Sequence, residues 1–269
     1  MSEAMLQGLG WAALGCGSTW LMTTAGSAMV FLFRKDNEST HRIFLGFAAG
    51  VMIAASVWSL LIPAIEQAEE AGTIGWIPAA GGFLLGVAFL MALDTFLPHL
   101  HMEEDEPEGL VSSWKRTTLL VSAVTLHNIP EGMSVGLLFA MASQATGAAA
   151  TSYLGMAFAL AIGIGLQNFP EGAAISLPLM REGMSGRRAF VLGSLSGVVE
   201  PIFGVAVVLV SAQITPFMPW LLSFAAGAMI YVVVEELIPE AHLGTHSNVG
   251  TLGVIAGFVV MMVLDVALG

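Results

Sequence analysis

The chain has 269 residues, 56% of them hydrophobic and 10% charged, with a mean hydropathy of +0.83. A soluble domain carries about a quarter charged residues, so an ordinary cytosolic enzyme and a disordered protein are both excluded. The formal net charge of −12 excludes a nucleic-acid binder, which needs Lys and Arg against phosphate. The single cysteine, Cys16, excludes a disulfide framework and a thiolate-rich metal site.

A bilayer core takes roughly 20 apolar residues per helix, more when the helix tilts. The first apolar run follows Glu3 without a basic segment before it, so it is expected to remain as a span and not to be cleaved. In chain order the runs lie near 8–33, 42–65, 77–98, 117–142, 151–180, 187–212, 216–239 and 250–268. They predict an all-α polytopic membrane protein of eight transmembrane helices, one domain over residues 1–269, with a cytoplasmic loop at 99–116. Arg34, Lys35 and Arg42 separate the first two runs. Lys115 and Arg116 precede the fourth, and Arg181, Arg187 and Arg188 separate the fifth from the sixth. The loops after the second, fourth and sixth runs hold no Lys or Arg, so all eight cations fall on one side, the cytoplasmic one. Both termini are then extracytoplasmic.

Two distant stretches are alike. The second run reads FAAGVMIAASVWSLLIPA from Phe47, and the seventh reads FAAGAMIYVVVEELIPEA from Phe224. The third ends GVAFLMALD at Asp94, and the eighth ends GFVVMMVLD at Asp265. The expected topology sends the members of each pair in opposite directions. That is an inverted repeat of three helices, a central pair and three helices, a plan found in secondary transporters.

The central pair carries HNIPEG (His127 to Gly132) and QNFPEG (Gln167 to Gly172) near mid-span. An ionised carboxylate at that depth is costly and marks a functional site by default. His127 and Glu131 are spaced i, i+4 on one helix face, as are Gln167 and Glu171, with Asn128 and Asn168 on the adjoining edge. Pro130 and Pro170 free the carbonyls of Leu126 and Leu166. The sixth run adds Glu200 beside Pro201. Three glutamates, an imidazole and three amides in one layer repel or recruit cations, because like carboxylates in low dielectric do not all stay charged. One divalent cation nearly neutralises the three glutamates and two slightly overcompensate. Imidazole with carboxylate and amide oxygen suits Zn²⁺ and its divalent neighbours and lacks the thiolates that favour Cu(I). The sixteen methionines are scattered through apolar runs as core filler.

Paired HNxPEG and QNxPEG in consecutive spans, followed by GxxEP at Gly197 to Pro201, resemble the Zrt-/Irt-like protein (ZIP) family of divalent metal transporters, in its bacterial GufA-like branch. The resemblance covers essentially the whole chain. It implies zinc import toward the cytoplasm across the cell membrane, a bacterial inner membrane, with cadmium and iron tolerated. It implies a two-site centre: His127, Glu131, Gln167 and Glu171 at the first site, and Asn128, Asn168 and Glu200 at the second, with Glu131 and Glu171 shared. It also implies a homodimer and an elevator-like movement of the first, fourth, fifth and sixth spans against the others. This chain departs from other branches in carrying neutral amides at Gln167 and Asn168.

Asp94, His99 and His101 end the third span, and Glu235, Glu236, Glu240 and His242 end the seventh. The repeat puts both ends on the cytoplasmic side, where they are expected to line an exit. Glu66 and Asp265 are the expected outer entrance, an anionic vestibule that raises local cation concentration. Met52, Ala55 and Leu138 are candidates for an apolar gate. No nucleotide-binding loop is present, so the driving force comes from gradients and membrane potential. An intramembrane metalloprotease needs HExxH where this chain has HNIPE. A metal-gated channel or sensor on the same helices is the alternative to a carrier.

Overall fold

The structure, a computed structural model, describes residues 2–32, 38–96, 116–181, 183–242 and 248–268. Every long element among these is helical, and they form eight segments. They are α1 (Glu3–Ser27), α2 (Glu38–Ala55, a π-helical stretch Ser56–Leu61, then Ile62–Glu70), α3 (Trp76–Phe96) and α4 (Arg116–Gln144). After these come α5 (Gly147–Arg181) and α6 (Gly186–Ser196, then Val199–Ile214). The last are α7 (Met218–Val232, a π-helical stretch Val233–Leu237, then Ile238–His242) and α8 (Val249–Leu268).

The ends are set by local chemistry. Ser2 caps α1, its hydroxyl accepting from the Met5 amide at 3.2 Å. A paired 6→1 and 5→2 hydrogen-bond turn closes α5, from the Met184 amide to the Leu179 carbonyl and from the Gly183 amide to the Met180 carbonyl. Gly183 sits there at φ +85°, where a Cβ would be strained. The π-helical stretches of α2 and α7 hold equivalent places in the repeat, each running up to a proline, Pro63 or Pro239. A proline ring crowds the carbonyl four residues back, here Ser59 or Glu235, and the wider π turn makes room for it.

Six of the eight segments are long and apolar enough, by length and composition, to cross a membrane: α2, α3, α5, α6, α7 and α8. The other two, α1 and α4, are long enough but more polar, α1 with Gly, Ser and Thr and α4 with its HNIPEG core. The most apolar stretch of α2 is 67% buried and that of α7 is 61% buried, whereas α3 and α8 reach only 28% and 22%. So α2 and α7 lie inside, and α3 and α8 cover them with lipid-compatible flanks.

Helices pair closely through glycine. A Cβ on Gly50 would run into the Val254 carbonyl, and one on Gly227 into the Phe83 carbonyl. Likewise Gly257 abuts the Phe47 carbonyl and Gly86 the Phe224 carbonyl. In the repeat, Phe47 corresponds to Phe224, Gly50 to Gly227, Phe83 to Val254 and Gly86 to Gly257. The α2–α8 contact is therefore repeated by α7–α3, position for position, by the small-residue packing that membrane helices use. The central pair follows suit: Gly132 of α4 abuts the Glu200 backbone of α6, and Gly172 of α5 abuts the Thr23 carbonyl of α1. Packing falls mainly into two groups, α1 with α4, α5 and α6, and α2 with α3, α7 and α8. Met52, Ala55 and Leu138 are fully buried in the cluster between them, with Phe139, Leu160 and Ile164.

Candidate metal centre

Both central motifs stay helical through their prolines, with Pro130 inside α4 and Pro170 inside α5. At Gly197, α6 is interrupted, and Glu200 falls in the first turn of its second half. The break frees carbonyls that side chains then take up: Asn128 donates its Nδ2 to the Ser196 carbonyl at 3.2 Å.

The seven expected residues meet in one buried layer. Asn128, Asn168 and Glu200 have no exposure, and Gln167, Glu131 and His127 are buried, while Glu171 is half-buried. Gln167 Nε2 donates to Glu131 Oε1 at 2.8 Å and to Asn168 Oδ1 at 2.7 Å. Asn168 Nδ2 donates to both Glu200 oxygens at 2.9 Å and to the Thr19 carbonyl at 3.3 Å. The amides thus join two carboxylates that would otherwise repel. Glu171 lies beside Asn128 and within Coulombic reach of Glu131, Glu200 and Glu236. Three buried oxygens here have no hydrogen-bond partner among the described residues: Asn128 Oδ1, Glu131 Oε2 and Glu171 Oε1. Such acceptors are costly to leave unpaired and suit a cation.

His127, within Coulombic reach of Glu131, also faces α7. Its Nδ1 lies 2.8 Å from Glu236 Oε2. No three His, Cys, Asp or Glu side chains among the described residues form a group that holds an ion by themselves. A cation in this layer therefore has to take amide oxygen as well as carboxylate.

The described members of the expected exit group differ in exposure. Glu236 is buried against His127 instead of lying at the helix end, while its neighbour Glu235 is exposed. Glu240 is half-buried, and His242 is exposed, with Nδ1 3.0 Å from the Ile238 carbonyl and Nε2 3.0 Å from Thr251 Oγ1. Asp94 is buried at the end of α3. His99, His101 and the rest of the expected loop up to Lys115 lie outside the described residues. At the other end Glu66 is exposed, whereas Asp265 is buried and accepts from the Ser59 hydroxyl on Oδ1, leaving Oδ2 without a partner among the described residues.

Sequence reasoning passed over Thr19 and Thr23 on α1. The Thr23 hydroxyl reaches Glu200 Oε1 at 3.5 Å, and the Thr19 carbonyl takes the second N–H of Asn168. Their i, i+4 spacing on an otherwise small, apolar face was the available signal.

The sequence model of the family described as ZIP Zinc transporter matches residues 101–265. The zinc transporter ZIP11 of Homo sapiens is 38% identical over 336 residues, covering 96% of this chain and 97% of the relative. The zinc transporter GufA of Myxococcus xanthus is 38% identical, covering 92% of this chain and 94% of the relative. The zinc transporter ZIPB of Bordetella bronchiseptica is also 38% identical, over 97% of this chain and 82% of the relative. With that coverage and those paired motifs, the chain belongs to the ZIP zinc transporter family, multi-pass membrane transporters and not enzymes.

Proposed function

We propose that the chain imports zinc toward the cytoplasm, with cadmium and iron as tolerated substitutes, through the buried layer shared by α4, α5 and α6. The observation that carries this reading is the trio of unpartnered oxygens, Asn128 Oδ1, Glu131 Oε2 and Glu171 Oε1, set among carboxylates that repel one another. The names of its relatives supply the metal. An inward-negative potential favours entry of a dication by about 4.6 kcal/mol per 100 mV, at about 2.3 per charge.

In this proposal all eight helices cross the membrane as one domain, with both termini outside. Supporting this are the segregation of the eight basic residues and the matched glycine contacts of α2–α8 and α7–α3. The protein is a carrier, in which α1, α4, α5 and α6 move against α2, α3, α7 and α8, consistent with packing that falls mainly within those groups. The family resemblance extends the proposal to a homodimer.

The test is uptake of radiolabelled zinc by purified protein in liposomes, comparing the native chain with His127→Ala and Glu171→Ala. Saturable uptake should disappear in both variants. Uptake at the native rate in both would overturn the assignment.

A further inference from the structure

The two amides of the centre leave no freedom of orientation. Gln167 Nε2 has two hydrogens, one for Glu131 Oε1 and one for Asn168 Oδ1. Asn168 Nδ2 has two as well, one shared between the Glu200 oxygens and one for the Thr19 carbonyl. Amide orientation follows from the surrounding network, and here the network permits one. Reversing Asn168 would set its oxygen against three acceptors and its nitrogen against the nitrogen of Gln167. Reversing Gln167 as well would bring its oxygen onto Glu131 Oε1. An ion that took Asn168 Oδ1 and Glu200 together would have to break four hydrogen bonds in a fully buried layer.

Glu200 is correspondingly provided for. Both of its oxygens receive the Asn168 N–H, and Oε1 also faces the Thr23 hydroxyl. The oxygens without partners are on Asn128, Glu131 and Glu171.

Resting on the transport reading above, we infer that this centre takes one divalent cation at a time, because the Asn168 amide occupies the position beside Glu200 that a second ion would need. Glu200 then acts as a fixed counter-charge within reach of the cargo and not as a ligand. The cargo sits among Asn128, Glu131 and Glu171, with His127 adjacent in sequence and released from Glu236 when it joins.

The experiment counts zinc bound at saturation by equilibrium dialysis of the purified full-length protein, its folding checked by a single size-exclusion peak. Comparison between variants cancels zinc held elsewhere on the chain. Glu131→Gln should bind one zinc fewer than the native chain, and Asn168→Asp one zinc more, since a carboxylate beside Glu200 replaces a donor with a ligand. A loss of two zinc ions in Glu131→Gln would overturn the single-ion inference while leaving the transport reading in place. No gain in Asn168→Asp would overturn the role given to its amide. No loss at all in Glu131→Gln would overturn the transport reading itself.

Discussion

His127 and Glu236 hold α4 to α7 through a contact of 2.8 Å, Nδ1 to Oε2, in a layer where both side chains are buried. It joins the two helix groups at the level of the candidate centre. If the groups move against each other, this contact has to break and re-form in every cycle. Glu236→Ala leaves a buried imidazole nitrogen without its partner, a loss of about 1–3 kcal/mol. The conformation described here should then lose population by about 5- to 150-fold relative to its alternatives. A lower melting temperature in detergent and roughly tenfold slower zinc uptake in liposomes are expected, with Glu236→Gln intermediate because it still offers an oxygen to the ring. Native melting and native uptake in Glu236→Ala would show the contact to be incidental.

Glycine packing gives a second test, independent of the metal. A Cβ at Gly50 or Gly227 meets a backbone carbonyl, of Val254 or Phe83 respectively, and no rotamer change relieves that. Gly50→Ala and Gly227→Ala should each destabilise by about 1–3 kcal/mol through overpacking. Their effects should be of similar size, since the two contacts are equivalent in the repeat. Gly10 and Gly17 have nothing within 4 Å of an added Cβ, so alanine there should be neutral or stabilise by up to about 1 kcal/mol. Thermal unfolding of the four variants checks this. A destabilisation confined to one of the two buried positions would argue against equivalence.

The apolar runs were legible because bilayer thickness dictates their length, and the layer of His127, Glu131, Gln167 and Glu171 was legible because i, i+4 spacing puts each pair on one face. Other features depended on partners distant in sequence. Glu235 and Glu236 look interchangeable in the string, yet one is exposed and the other is paired with an imidazole from another helix. The π turn in which they sit arises from Pro239 acting back along the helix, which no periodicity of 3.6 reveals. The direction of the Gln167 and Asn168 amides is set by Thr19, Glu131 and Glu200 together. Thr19 and Thr23 were hidden because small polar residues in a membrane helix read first as packing. The same polarity explains why α1 and α4 fall short of the hydropathy that marks the other six.

Asp265, at the expected outer entrance in the proposed topology, offers the last test. Its Oδ1 takes the Ser59 hydroxyl, while Oδ2 is buried without a partner among the described residues. As part of an outer vestibule its charge should concentrate cations and leave the transport step itself unaffected. Asp265→Asn keeps an oxygen for Ser59 and removes the charge, so the zinc concentration for half-maximal uptake should rise by about tenfold at low ionic strength with the maximal rate little changed. The difference should shrink as salt screens the vestibule over a Debye length of about 8–10 Å at 0.1–0.15 M. Ser59→Ala, which keeps the carboxylate, should shift half-saturation far less. Initial rates of zinc uptake against zinc concentration at two ionic strengths separate these outcomes. A fall in maximal rate alone, independent of salt, would place Asp265 in the moving parts of the carrier and not at its entrance.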